Sequence, residues 1–107
     1  MHEIDLTAFA TAHASHAQVV DVREPMEIMR GRIPGALPIP MGQLPARLHE
    51  LDRSRPVYVV CASGNRSLAM ADFLTHSGFD AYSVRGGTRA WAASGRPLQE
   101  WSSQARV

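Results

Sequence analysis

The sequence contains no lysine; all eleven of its basic residues are arginine. A lysine Schiff base is thereby excluded, as is a Walker-type phosphate loop, which needs a lysine. Cysteine occurs once, at Cys61. One cysteine excludes an intramolecular disulfide and fits a reducing compartment. No apolar run is long enough to cross a bilayer, so no membrane partner is expected. Residues Met1 to Asp5 lack the basic start and apolar stretch of a secretion signal, which leads us to expect a mature, cytoplasmic protein. Net charge is +1 and the pI about 8.1, a balance that gives no argument for binding nucleic acid. Repeats, low-complexity stretches and internal linkers are absent. What is present, 107 residues of which 45% are hydrophobic, suits one domain with one core. We expect that domain over residues 1–100, with 101–107 as a C-terminal tail.

Segments of alternating type predict an α/β order. Asp5 is placed to cap a first helix that carries Leu6, Phe9 and Ala10 on one face. Gln18 to Val22 reads as a buried strand. Leu37-Pro38-Ile39-Pro40 is extended, and its prolines cannot donate to a ladder, so a strand there belongs at a sheet edge. Leu44, Leu48 and Leu51 follow i, i+4, i+7 spacing, with Pro45 acceptable in a first helical turn. Val57 to Val60 is the strongest strand signal. Arg66 to Ser77 reads as a helix stopped by Gly78. Ala81 to Val84 reads as another strand, and Thr88 to Ser94 as a short helix stopped by Gly95.

Strands separated by helices imply parallel pairing with right-handed crossovers. Ligands of such sheets bind outside the carboxyl ends of the strands. Cys61 follows the best strand and falls at that end. Asp21 and Arg23 end an earlier strand, and Gly86-Gly87 follow a later one, so three loops converge on the thiol.

The run Cys61-Ala62-Ser63-Gly64-Asn65-Arg66-Ser67 is polar, and glycine at 64 permits a tight curl. Only a thiolate is a good nucleophile. An unperturbed thiol, with a pKa of about 8.5, is only a few per cent ionised at neutral pH. A helix N-terminus contributes about 0.3–1 kcal/mol, less than one pKa unit. The amides of residues 62–67, curled toward the sulfur as an anion nest, supply more, and the charge of Arg66 adds to them. A lowered Cys61 pKa is therefore expected. The bland alternative is a small buried hydrophobe at a strand end, but an inert cysteine does not require a polar loop after it.

Four ordered blocks resemble the single-domain rhodanese-type sulfurtransferases, over about residues 3–98. They are Asp21-Val22-Arg23-Glu24 with Glu27, then Gly31 to Ala36, then the Cys61 loop, and finally Gly86-Gly87 with Trp91, Gly95 and Pro97. The resemblance implies a single-domain α/β fold, a five-stranded, mainly parallel sheet with helices on both faces. It implies a thiosulfate sulfurtransferase, without cofactor or metal, that moves a sulfane sulfur through a Cys61 persulfide. The donor is thiosulfate or a related small molecule, and the acceptor is cyanide, a small thiol or a protein thiol. Cys61 and Arg66 are the catalytic candidates. Ala62, Ser63, Gly64, Asn65 and Ser67 form the anion-binding loop, and Asp21, Arg23, Gly86 and Gly87 support it. With no second cysteine, the persulfide has to be resolved by an acceptor from outside. A second reading, from a different class, is a persulfide carrier or regulatory module with slow turnover.

Phosphatases related in fold have a cysteine-to-arginine loop one residue longer. A phosphoryl group needs that wider ring, whereas the tighter one fits a single sulfur, which makes phosphatase or arsenate reductase a distant alternative. The family turn carries histidine where this chain has Arg32, a position expected on the turn's surface.

Among the remaining candidates, Asp21 and Arg23 read as a salt bridge bracing the loops, with Arg23 also able to pair with Glu27 at helical spacing. One of the hydroxyls of Ser63 and Ser67 is expected to bond the sulfur, with Ser67 equally placed to cap the helix. Gly86-Gly87 let the backbone pass close to the site. His13 and His16 share a helix face at a spacing that can bind metal, although a solvated face is the commoner case. His2, His49 and His76 read as surface residues, Trp91 as core, and Met26, Ile28 and Met29 as an apolar patch packed beneath the early loop. Trp101 lies beyond the matched region.

Overall fold

The computed structural model describes residues 2–100; Trp101 and the expected tail lie outside them. Strands β1 (Glu3–Ile4), β2 (Gln18–Asp21), β3 (Leu37–Pro38), β4 (Val57–Val60) and β5 (Ala81–Val84) form one five-stranded sheet in the order β1-β5-β4-β2-β3. Every pairing is parallel. The proline-bearing β3 is an edge strand, as its missing N–H requires. Register aligns Asp21 with Val60 and Val59 with Ser83, so Cys61 emerges beside the ends of both neighbouring strands.

Helices α1 (Leu6–Ala14), α2 (Pro25–Met29), α3 (Asn65–His76) and α4 (Gly87–Ala93) fill the crossovers. The strands alternate, and that alternation splits the core in two. Val20, Val57 and Val59 join Ala71, Leu74 and Phe79 of the α3 side. Val19, Val60 and Val84 join Phe9 of α1 and Trp91 of α4 on the other. The sheet thus has helices on both faces, as expected. Asp5 caps α1 by accepting the Ala8 amide at 2.8 Å, a cap that contributes about 1 kcal/mol.

Several sequence expectations are corrected. Met41–Glu50 is a 3-10 segment rather than an α-helix, and it breaks at Arg47, where φ is −122°. Pro45 has no N–H to return to Met41, so an α-turn there cannot close. Leu44 is fully buried, and Leu51 is buried from an extended position past the segment's end. Helix α2 has only five residues and offers one inward position, taken by Ile28; Met26 and Met29 are 74% and 60% exposed instead of packed. Arg32 is buried rather than on the surface. The chain at Gln99 crosses over it in an antiparallel bridge, with Arg32 N donating to Gln99 O at 3.0 Å and Gln99 N returning to Arg32 O at 2.7 Å.

His13 and His16 do not share a helix face. His16 follows the Ser15 cap in the left-handed region, φ 64°. His13 turns inward, its Nε2 2.7 Å from the Pro34 carbonyl oxygen and its ring edge-on to Trp91. His2, His49 and His76 are exposed and Trp91 is core, as read.

Candidate active site

Cys61 leaves β4 with its sulfur almost closed to solvent, 1% exposed. The loop then bends back on it. Gly64, with φ 111°, sends its amide to Sγ at 3.0 Å, and the Ser67 amide reaches it at 3.4 Å. The Ser67 hydroxyl lies 3.4 Å from Sγ and only 2.7 Å from the hydroxyl of Ser83 on β5. Both serines are fully buried. Burial pushes the Cys61 thiol up. The Ser67 hydroxyl and the amides of Ser67, Gly64 and Ser63 oppose it, and the balance lies below the ordinary cysteine value. Each bond to an anion favours the charged form by about 1.5–3 kcal/mol, enough in sum to outweigh the desolvation. Ser67 does not cap α3; Gly64 stands at the cap position, and the Ser67 hydroxyl is turned to the sulfur and to the Gly64 carbonyl, 3.1 Å away. Ser63 and Asn65 carry exposed side chains, and Asn65 makes no hydrogen bond to the sulfur.

The loop is held from behind by α4. Thr88 N donates to Cys61 O at 2.8 Å and Arg89 N donates to Ala62 O at 3.0 Å. Two N–H groups that a helix start leaves without internal partners are thereby satisfied. The approach is close enough that a Cβ on Gly87 would overlap the Cys61 carbonyl and sit 2.9 Å from Ala62 O. At Gly86 an added Cβ would meet Ala90.

Two ion pairs brace the front. Asp21 and Arg23 form a buried fork, with Nε donating to Oδ1 at 3.0 Å and Nη2 to Oδ2 at 2.8 Å. Arg23 also donates to the Gly31 carbonyl at 2.9 Å, tying the end of β2 to the turn after α2. The expected Arg23–Glu27 side-chain pair does not form; Arg23 reaches only the Glu27 backbone carbonyl, at 3.3 Å. The Glu27 carboxylate goes to Arg66, with parallel bonds of 2.7 and 2.8 Å. That bond holds Glu27 down at about 2 and pushes Arg66 up. Glu27 itself is set by the reciprocal cap of α2, where its Oε1 accepts the Glu24 amide at 2.9 Å.

An open cavity of about 290 Å³ lies beside this group; Ala62, Thr88, Glu27, Arg30, Arg89 and Leu98 line it, and Cys61 itself does not. A larger hollow of about 490 Å³, between α1 and the Pro34–Gly35 turn, shares no residue with the Cys61 loop; volume alone does not mark the chemistry.

Sequence reasoning did not single out Ser83 or the role of Glu27. Ser83 had a signal, a hydroxyl inside an otherwise buried strand. The partner of Arg66 had none, because it lies thirty-nine residues away.

A parallel sheet whose central strand delivers a cysteine into a ring of amides defines a class, and comparison with known proteins agrees. Residues 7–94 match the Rhodanese-like domain, and the chain belongs to that family. It is 38% identical over 101 residues to a protein of Allochromatium vinosum named "Sulfurtransferase", covering 92% of this chain and 94% of that one. Among solved structures, a rhodanese-related protein from Thermoplasma volcanium superposes with a TM-score of 0.86 at 32% identity, covering 92% of this chain and 98% of that one. A rhodanese-like domain protein from Staphylococcus aureus gives 0.84 at 34%, covering 94% and 98%.

Proposed function

We propose that this protein is a sulfurtransferase that carries sulfane sulfur on Cys61. The observation that carries the proposal is the pair of amides donating to one sulfur, Gly64 N at 3.0 Å and Ser67 N at 3.4 Å, with the Ser67 hydroxyl also 3.4 Å from it. Such donors stabilise a thiolate, and they serve equally the negative charge of a persulfide, as preorganised donors do in an oxyanion hole.

With thiosulfate, the Cys61 thiolate attacks the outer sulfur. A new sulfur–sulfur bond forms, the one inside thiosulfate breaks, and its electron pair leaves with sulfite. The product is the Cys61 persulfide anion. An acceptor nucleophile, cyanide or a small or protein thiol, then attacks the outer sulfur. The persulfide bond breaks and its electron pair restores the Cys61 thiolate. Arg66 adds positive charge at the loop, although both its terminal nitrogens are engaged by Glu27. A lone thiol cycling in this way fits a reducing compartment such as the cytoplasm.

The test is intact mass after exposure to thiosulfate, together with steady-state thiocyanate formation. A gain of one sulfur atom, absent in Cys61→Ser, is expected. No gain would overturn the reading, and a stable persulfide with negligible thiocyanate would favour a carrier over an enzyme.

A further inference from the structure

The cations of the site are not equivalent. Arg23 is neutralised by Asp21, and Arg66 by Glu27. Elsewhere Arg47 pairs with Glu50 and Arg85 with Glu3, while Arg53, Arg55 and Arg96 donate to Ser77 O, His16 O and Ser94 Oγ. Arg30 and Arg89 stand apart. Both are exposed, and among the described residues neither side chain has a hydrogen-bond or ion-pair partner. They come from different elements, one just past α2 and one in the first turn of α4, yet they line the same cavity, the one that Ala62, next to the reactive cysteine, also lines. The acidic residue of that lining is Glu27, already committed to Arg66. Two arginines whose side chains have no acidic partner among the described residues thus line one opening.

The cavity's volume is about 290 Å³. Thiosulfate carries its charge one bond from the sulfur that is transferred, so it has no anionic group to place far from that sulfur. The rim is matched by a longer donor with anionic groups remote from the sulfur. Guanidinium forks suit carboxylates above all.

We propose that Arg30 and Arg89 are specificity-determining residues that recognise the carboxylates of an organic persulfide, the persulfide of a carboxylate-bearing low-molecular-weight thiol. This rests on the sulfurtransferase reading of Cys61. In the transfer, the Cys61 thiolate attacks the terminal sulfur of R–S–SH. The new bond is Cys61 Sγ to that sulfur, the R–S to sulfur bond breaks, and the electron pair departs on the R thiolate. The Cys61 persulfide keeps the proton, which then passes to solvent or to the departing thiolate, so nothing is oxidised or reduced overall.

The experiment compares glutathione persulfide, which carries two carboxylates, with 2-hydroxyethyl persulfide, which carries none, in the wild type and in the Arg30→Gln/Arg89→Gln double variant. The readout is the ratio of their kcat/KM values. Loss of two exposed charge contacts predicts a fall of about tenfold in that ratio, equivalent to about 1.4 kcal/mol. Added salt should lower the wild-type ratio and leave the variant's nearly flat. An unchanged ratio, or equal losses on both donors, would overturn the role of the two arginines while leaving Cys61 transfer standing. Failure of wild-type Cys61 to take sulfur from either persulfide or from thiosulfate would overturn the sulfurtransferase reading itself.

Discussion

Glu27 grips Arg66 through two parallel hydrogen bonds, 2.7 and 2.8 Å long, between a short helix and the start of another thirty-nine residues on. The arginine that closes the cysteine loop is therefore fixed by an acid from a different crossover. The same acid also closes the cap of α2. One carboxylate thus sets the geometry of the loop's front wall.

That pair has a pH signature. Glu27 titrates at about 2 in the fold against 4.5 unperturbed. A depressed folded value means the contribution is present above 4.5 and is lost as pH falls toward 2. Both side chains are about one-third exposed, so screening reduces the benefit to about 1 kcal/mol. Glu27→Gln should remove that much of the stability at neutral pH and flatten its loss between those limits, measured by urea unfolding across pH. An unaltered acid limb would contradict the assignment.

Ser67→Ala removes one hydroxyl from the sulfur, and the lost bond should raise the Cys61 pKa. The pH profile of alkylation by iodoacetamide should move to higher pH. A profile that stayed in place would show that the amides alone hold the anion.

Ser83→Ala leaves the sulfur's own contacts intact but deprives Ser67 of its 2.7 Å partner. The expected change is a smaller rise in the same alkylation profile than Ser67→Ala gives. A shift as large as that of Ser67→Ala would make Ser83 an equal partner.

Gly87→Ala puts a methyl against the Cys61 and Ala62 carbonyls from a backbone at φ 58°. The strained conformation and the overlap together should cost about 2–4 kcal/mol. Thermal unfolding reads the loss, and the persulfide yield of the surviving folded fraction should fall with it. Wild-type stability would mean that α4 shifts freely away from the loop.

Asp21→Asn leaves Arg23 buried and charged with carbonyl partners only. Breaking a buried pair from one side costs about 3–5 kcal/mol. Urea unfolding should show a loss in that range, and a neutral result would deny the fork its bracing role.

Much of this architecture was legible because local and tertiary preferences agree. Val57 to Val60 is apolar and β-branched, Asp5 and Gly78 mark helix ends, and the prolines of 37–40 forced an edge strand. The cysteine loop was legible for a chemical reason, since a thiol followed by polar residues and glycine has little use as packing. Strand β1 escaped because two residues, Glu3–Ile4, carry no periodicity. The 3-10 segment misled because leucine spacing mimics an α-helix while Pro45 forbids its bonding. Arg32 misled for the opposite reason: a turn beside a helix reads as surface until a distant segment, here Gln99, covers it. The Glu27–Arg66 pair was illegible because long-range partners leave no trace in local spacing, and i, i+4 reasoning offered Arg23 in its place.

The bridge between Arg32 and Gln99 has a practical corollary. Gln99 is pinned on the turn after α2, and its neighbour Leu98 lines the cavity beside the cysteine loop, together with Ala62, Arg30 and Arg89. An affinity handle or fluorophore attached just beyond Glu100 would start close to that cavity. One attached ahead of β1, at the far end of a parallel sheet, would start from the opposite pole. Immobilisation through the first attachment should throttle entry of bulky substrates, whereas the second should leave the cavity clear.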